Sequence, residues 1–180
     1  GVKKILRPFP GGMLHANIVA CSIFAACSGS STATTVAVGG VTRPELERQG
    51  YFKNIVLGSI SAGGTLGVLI PPSIMMILYG AQTGNSIGKL FIAGIIPGLL
   101  LAAFFMIYIG VACSRHKDWA PPPEKISLKQ YLKDVASSLL DLWPVILIIG
   151  GIMVSIYGGY ATPTEAGAVA SIIAFLLWVF

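Results

Sequence analysis

Met13–Val41 reads MLHANIVACSIFAACSGSSTATTVAVGGV, a run without Asp, Glu, Lys or Arg whose middle is the polar stretch Cys27-Ser28-Gly29-Ser30-Ser31-Thr32. The pattern is an apolar helix, a polar tip that exposes backbone, and a second helix. Basic residues flank the run on both sides, Lys3, Lys4 and Arg7 before it and Arg43, Arg48 and Lys53 after it. By the positive-inside tendency both ends lie on the cytoplasmic face, so the run enters a membrane and returns. Arms of about 10 to 14 residues reach roughly 15 to 21 Å into a hydrocarbon core about 30 Å thick. The tip is therefore expected near mid-membrane, where non-helical backbone is tolerated only inside protein or beside a water-filled cavity. Transporters place substrate and ion sites at such positions.

Composition agrees with a membrane setting. The chain is 54% hydrophobic and 11% charged, with a mean hydropathy of +0.80, against about 25% charged residues in a soluble domain. Uncharged runs suited to spanning helices follow the hairpin at 90–114 and 142–161. The net charge of +5 gathers in loops, with Arg115, Lys117, Lys125, Lys129 and Lys133 in one of them, so it reports membrane orientation and implies no nucleic-acid partner. Cys21, Cys27 and Cys113 have no CxxC spacing and read as small buried hydrophobes.

Segment by segment, an all-α integral membrane architecture is expected: a re-entrant helical hairpin with its basic flank at 1–42, a cytoplasmic loop at 43–54, and a discontinuous helix at 55–80. A spanning helix at 90–114 follows, then a cytoplasmic Pro-rich linker and amphipathic helix at 115–141, a spanning helix at 142–161, and a truncated one at 163–180. The break in the third element comes from Pro71-Pro72. Two prolines in succession lack two backbone donors, so a continuous helix would orphan the carbonyls of Gly67 and Val68. Ser61 and Thr65 lie close by in sequence. In the linker region, Leu128, Tyr131, Leu132, Val135 and Leu139 recur at the spacing of one helical face. The initial Gly1 and a final apolar run of about 15 residues, where a span needs about 20, predict a fragment.

The tip and the break together form the leading functional candidate. Hydroxyls and freed carbonyls are hard oxygen ligands suited to a small cation, and a helix starting after the tip directs a positive dipole end at a carboxylate. Sodium plus an organic anion fits that chemistry, although small residues also serve simple helix packing. Thr162-Pro163-Thr164-Glu165 reads as a capping box with Pro at N1, so Glu165 is expected to start a helix. Gly84-Asn85-Ser86-Ile87-Gly88-Lys89 lacks the spacing and the following hydroxyl of a phosphate-binding loop, and Lys89 reads as an interfacial anchor. A serine-protease reading with Ser28 as nucleophile needs a positioned base, and His15 is the nearest histidine in sequence. His116 reads as part of a solvated basic loop. A non-transporting membrane scaffold is the alternative to transport.

The succession FAACSGSSTATTVAVGG (Phe24–Gly40), RPELERQGY (Arg43–Tyr51), AGGTLGVLIPPSIMMILYG (Ala62–Gly80), SIGKLFIAGIIPGLL (Ser86–Leu100) and ATPTEAGAVA (Ala161–Ala170) resembles the large membrane subunit of tripartite ATP-independent periplasmic (TRAP) transporters, particularly the dicarboxylate type. The resemblance implies a sodium-coupled importer of C4-dicarboxylate-like organic acids in the bacterial inner membrane, a multi-pass permease and not an enzyme. It also implies one half of an inverted-repeat, elevator-type transporter, whose partners are a small membrane subunit and a soluble periplasmic substrate-binding protein. No cofactor is implied beyond sodium as the coupling ion. Carried over by residue, Ser28, Gly29, Ser30 and Ser31 match the tip of the family's first hairpin. Gly64, Thr65, Gly67, Pro71 and Pro72 match its broken helix, and the two elements would form one sodium site. Where some members of the family carry Asp, this chain has Thr34, so a carboxylate from that position is absent.

Overall fold

Two backbone devices turn the chain at the expected tip. In the computed structural model, which describes residues 5–122, 134–135, 137–138 and 142–179, helix α1 (Gly12–Ser28) ends at Gly29 with φ 61° and ψ 13°. That left-handed conformation suits glycine, and the Gly29 N–H donates to the Ala25 carbonyl at 2.8 Å, closing the helix end. Ser30 is extended (φ −131°, ψ 124°), and its hydroxyl accepts from the Ala33 N–H as the N-cap of α2 (Ser31–Arg48). The reversal thus occupies two residues.

Helix α2 runs further than the expected loop at 43–54 allows. Arg43 pairs with Glu47 at 2.9 Å, Arg48 with Glu45 at 3.0 Å, and the Gln49 amide donates to Glu45 at 2.7 Å. These contacts three and four residues apart support helix in a polar stretch, and Pro44 is accommodated inside it. Only four residues, 49–52, separate α2 from α3 (Lys53–Leu69). Within that turn the Tyr51 hydroxyl accepts from the Met13 N–H at 3.2 Å, tying the open ends of the hairpin together.

Helix α3 packs against both hairpin arms on a face of small residues. A Cβ at Gly63 would lie 2.7 Å from the Cys21 sulfur, and Gly64 lies against Thr35. Close backbone approach of this kind is how helices associate where no solvent drives them together. Leu14, Ile18, Leu46, Val56 and Leu66 are fully buried between the arms and α3. A polar clamp joins the same three helices: Asn17, 2% exposed, donates to the Ser59 hydroxyl at 3.2 Å and accepts from the Thr42 hydroxyl at 2.8 Å.

The break expected at the prolines is present. The Ile70 N–H donates to the Leu66 carbonyl at 2.8 Å as the last bond of α3; the Pro71–Pro72 bond is cis, and α4 (Ile74–Thr83) begins after Ser73. Gly84 turns the chain with φ 71°, and Ser86 caps α5 (Ile87–Arg115), a helix of 29 residues. Gly94 and Gly98 of α5 seat the break: a Cβ at Gly94 would lie 2.9 Å from the Leu69 carbonyl oxygen, and one at Gly98 would lie 3.0 Å from Ile70. Past α5 the Phe52 N–H donates to the Trp119 carbonyl at 3.0 Å, and the Trp119 ring stacks with those of Phe52 and His116.

Two stretches, Lys53–Thr83 taken across its break and Ile87–Arg115, are long and apolar enough to cross a membrane. Ile96, Leu99, Phe104 and Tyr108 of α5 are each more than half exposed, an apolar outer face. The expected span at 142–161 is shorter in the structure, where α6 (Trp143–Tyr157) has 15 residues. Gly158 and Gly159, the latter with φ 71°, end it early. Helix α7 (Pro163–Val179) starts as the capping box predicts: the Thr162 N–H donates to the Glu165 carboxylate at 2.7 Å, and the Glu165 N–H donates back to the Thr162 hydroxyl at 3.4 Å. The expected amphipathic face from Leu128 to Leu139 lies outside the described residues except at Val135.

Asn17→Ala removes two interhelical hydrogen bonds at once, each of the kind worth about 0.6 to 2 kcal/mol in membrane proteins. The full-length protein is expected to lose about 1 to 2 kcal/mol of stability in a detergent-unfolding titration. A titration that superimposes on that of the parent would mean the clamp does not hold the hairpin to α3.

Candidate functional site

The hairpin tip rests directly on the helix break. The Ile74 N–H, at the start of α4, donates to the Gly29 carbonyl at 3.1 Å. A Cβ at Gly29 would lie 2.8 Å from the Pro72 carbonyl oxygen and 3.3 Å from the Ser73 Cα, so only glycine lets these two backbones meet. On the other side of the tip, a Cβ at Gly67 would lie 2.7 Å from the Ser31 nitrogen and 2.8 Å from the Ser30 carbonyl oxygen. The tip is gripped between the last turn of α3 and the first residues of α4.

Hydroxyls organise the tip from within. Thr34 is fully buried; its hydroxyl donates to the Ser30 carbonyl at 2.8 Å and lies 3.1 Å from the Ser28 hydroxyl. The Thr35 hydroxyl donates to the Ser31 carbonyl at 2.8 Å. Thr34 therefore serves as an internal brace of the tip.

The electrostatics of the junction come from helix ends. No Asp, Glu, Lys or Arg occurs from Met13 to Val41 or from Asn54 to Gly88. Helices α1 and α3 bring their carbonyl ends to it, and α2 and α4 bring their N–H ends. The first pair thus presents partial negative ends and the second partial positive ends, each equivalent to about half an elementary charge. Pro71 and Pro72 supply no N–H, so the carbonyls of Gly67 and Val68 receive no helical hydrogen bond. Such carbonyls and the tip hydroxyls suit a small hard cation, and the free N–H ends suit an anion.

Of the residues singled out from sequence, the junction brings together Ser28, Gly29, Ser30, Ser31, Gly64, Gly67 and the buried Pro71. Thr65 is not among them. It is exposed, and its hydroxyl donates to the Ala62 carbonyl at 2.6 Å. Helical geometry explains this: residues three apart share a face, as Gly64 and Gly67 do, while Thr65 lies two positions, about 200°, from Gly67.

Sequence reasoning takes Ser73 only as the end of the break and gives it no role of its own. It occupies the N-cap of α4 yet makes no capping hydrogen bond, it is fully buried, and its hydroxyl has no hydrogen-bond partner among the described residues. Its place directly after the proline pair is the signal that could have found it, because Ser is a favoured N-cap and a new helix must start there. Ser73 lines a groove of about 390 Å³ with Cys27, Ser28, Gly29 and Pro72 on one side and residues of α6 and α7 on the other.

Among the described residues the other chemistries considered are not assembled. His15 sits near the start of α1, 3.0 Å from the Pro10 carbonyl oxygen and edge-on to Phe9. Ser28 ends the same helix, about 20 Å away at 1.5 Å per residue, so His15 is no base for it. Among the described residues no three His, Cys, Asp or Glu side chains gather as a metal-binding group.

Comparison with known proteins agrees with this architecture. Residues 2–180 match the family model described as "Tripartite ATP-independent periplasmic transporter, DctM component". The chain is 42% identical over 94% of its length to the C4-dicarboxylate TRAP transporter large permease protein of Pseudomonas aeruginosa and 43% identical over 94% to that of Vibrio cholerae, covering 38% and 36% of those proteins. It is 41% identical over 98% of its length to the ectoine TRAP transporter large permease protein of Halomonas elongata, covering 40% of it. The chain therefore spans about two fifths of the length of these relatives. With a match that runs from residue 2 to residue 180, this chain belongs to the DctM family, the large permease component of tripartite ATP-independent periplasmic transporters.

Proposed function

We propose that this chain forms one half of the transport machinery of a sodium-coupled importer of small organic acids, C4-dicarboxylate-like carboxylates among them. The observation that carries the reading is the contact of hairpin tip and helix break, where the Gly29 carbonyl receives the Ile74 N–H at 3.1 Å. That contact collects carbonyl ends, N–H ends and hydroxyls in one place without a fixed charge. A cation and an anion bound there together balance each other, which is the physical basis of coupling.

In this reading sodium lies between the tip, at Ser28, Gly29, Ser30 and Ser31, and the break, at Gly64, Gly67 and Pro71. The ion replaces the hydrogen bonds that the prolines withhold. The hairpin is re-entrant, and the permease sits in the bacterial inner membrane. It works with a small membrane subunit as scaffold and a soluble periplasmic protein that delivers the acid, and it carries its cargo by an elevator movement. Support comes from family membership, since relatives are named for C4-dicarboxylate and for ectoine transport. Variation among those named substrates fits a shared ion site beside a variable cargo pocket.

Uptake into proteoliposomes that contain the full-length permease, its small subunit and its binding protein is expected to require an inward sodium gradient. Uptake that persists unchanged when potassium replaces sodium would sink the coupling.

Within the site, Gly67→Ala forces a methyl group into the backbone of Ser30 and Ser31 and is expected to raise the sodium concentration for half-maximal uptake at least tenfold. Ser30→Ala, which removes the cap of α2, is expected to raise it several-fold. Thr65→Val is expected to change it less than twofold. A Thr65 effect as large as that at Gly67 would move the ion to the exposed face of α3.

A further inference from the structure

We propose that the groove between α3 and α5 holds an acyl chain of an anionic phospholipid, with the lipid phosphate seated at the basic end of the groove beside Lys53. The site lies along the N-terminal half of α3, away from the junction of tip and break.

An uneven pairing of side chains makes the groove. On α3, Asn54, Gly58 and Ala62 follow one another four residues apart and so stand in a row along one face. No atom lies within 4 Å of where a Gly58 Cβ would be, so the floor of the groove is open there. Phe104, Phe105 and Tyr108 of α5 form the facing wall, and Phe52 and Trp119, whose rings stack at 6.0 Å, close one end. The volume is about 610 Å³, within the roughly 300–1,000 Å³ of ordinary ligand sites.

Length and polarity fit a lipid chain. From Phe52 to Ala62 the α3 wall extends about 15 Å at 1.5 Å per residue, which is one leaflet of a hydrocarbon core about 30 Å thick. An acyl chain spans that same depth. Ser59, the buried polar residue of the lining, is already satisfied: its hydroxyl donates to the Val56 carbonyl at 2.8 Å and accepts from Asn17 at 3.2 Å. Nothing in the depth of the groove therefore calls for a polar ligand.

Charge is confined to the end closed by the aromatic pair. The Phe52 N–H bond to the Trp119 carbonyl at 3.0 Å brings the start of α3 to the segment after α5. Lys53 stands between the lining residues Phe52 and Asn54, Arg115 ends α5, and Lys117 lies two residues before Trp119. Among the described residues no carboxylate pairs with any of these three, and Asp118 is the one acidic residue between Arg115 and Trp119. Helix α3 also opens here without a side-chain cap, so its dipole adds to the positive field. Each Lys or Arg near a membrane surface adds about 1 kcal/mol of attraction for anionic lipid, and aromatic rings favour the headgroup level. A basic mouth above an apolar trough one leaflet deep matches both parts of an anionic phospholipid. An apolar helix of a protein partner would fill the trough and leave the mouth without a counter-charge.

Phosphatidylglycerol and phosphatidylcholine with the same acyl chains serve as probes. The full-length permease with its small subunit is purified in detergent and stripped of lipid, and its melting temperature is measured with each lipid added. Phosphatidylglycerol is expected to raise Tm by about 2 °C or more over phosphatidylcholine. Gly58→Leu, which fills the trough, is expected to abolish that rise. Gly58→Ala, which removes the same helical glycine with little added bulk, is expected to keep most of it. Lys53→Gln combined with Lys117→Gln is expected to bring phosphatidylglycerol down to the level of phosphatidylcholine. The inference is overturned if the two lipids act alike on the parent, if the rise survives Gly58→Leu or the double lysine variant, or if Gly58→Ala loses it as fully as Gly58→Leu. Loss of the small subunit from the Gly58→Leu complex also overturns it and assigns the groove to a protein helix. All of these outcomes are read without a sodium gradient, so the sodium coupling stands or falls separately.

Discussion

Everything at the junction depends on two backbones touching without side chains between them. Gly29 and Gly67 lie on opposite sides of the hairpin tip, and at each a single added carbon would collide with main-chain atoms of the facing segment. The hydrogen bond from Ile74 to Gly29 forms only because of that clearance. Four helix ends converge on one small volume as a result. In a medium where water does not shield them, such ends carry most of the electrostatic character that side-chain charges would supply elsewhere.

The surroundings keep that contact in register. The Asn17 clamp joins the hairpin arms to α3 from within, and the Tyr51 hydroxyl joins their open ends. Gly94 and Gly98 of α5 seat the last residues of α3 just before the prolines. The break is therefore held from two sides, by the tip on one and by α5 on the other. A helix interrupted in apolar surroundings needs this, because its freed backbone groups must find partners inside the protein.

Much of this is legible in the sequence, and what is not has physical reasons. The uncharged run around Ser28–Thr32, the Pro71-Pro72 interruption and the capping box at Thr162–Glu165 are local signals, and they lead to two helices joined by a tight turn, to a broken helix and to a helix start. The family resemblance likewise stands. The run of α2 to Arg48 is hidden because charge suggests a loop, whereas Glu45 and Glu47 with Arg43 and Arg48 are spaced to support a helix. The end of α6 at Tyr157 is hidden because hydropathy continues through Gly158 and Gly159 while the backbone does not. Thr65 belongs with Gly64 and Gly67 by proximity in sequence, although the helical repeat turns it away. Ser73 reads in sequence only as the end of the break, because its distinctive property is a hydrogen bond not made, which three-dimensional packing reveals.

The extension of α2 past the apolar run has a mechanical consequence. The helix has 18 residues and is gripped at its Ser31 end by Gly67, so it acts as a lever about 27 Å long at 1.5 Å per residue. A tilt of about 10° at the gripped end displaces the Arg48 end by roughly 5 Å at that length. Because the Thr42–Asn17 hydrogen bond and the buried Leu46 hold α2 to its neighbours, such a tilt would carry α1 and α3 with it, and the ion pairs keep the polar half of α2 stiff as far as that charged surface.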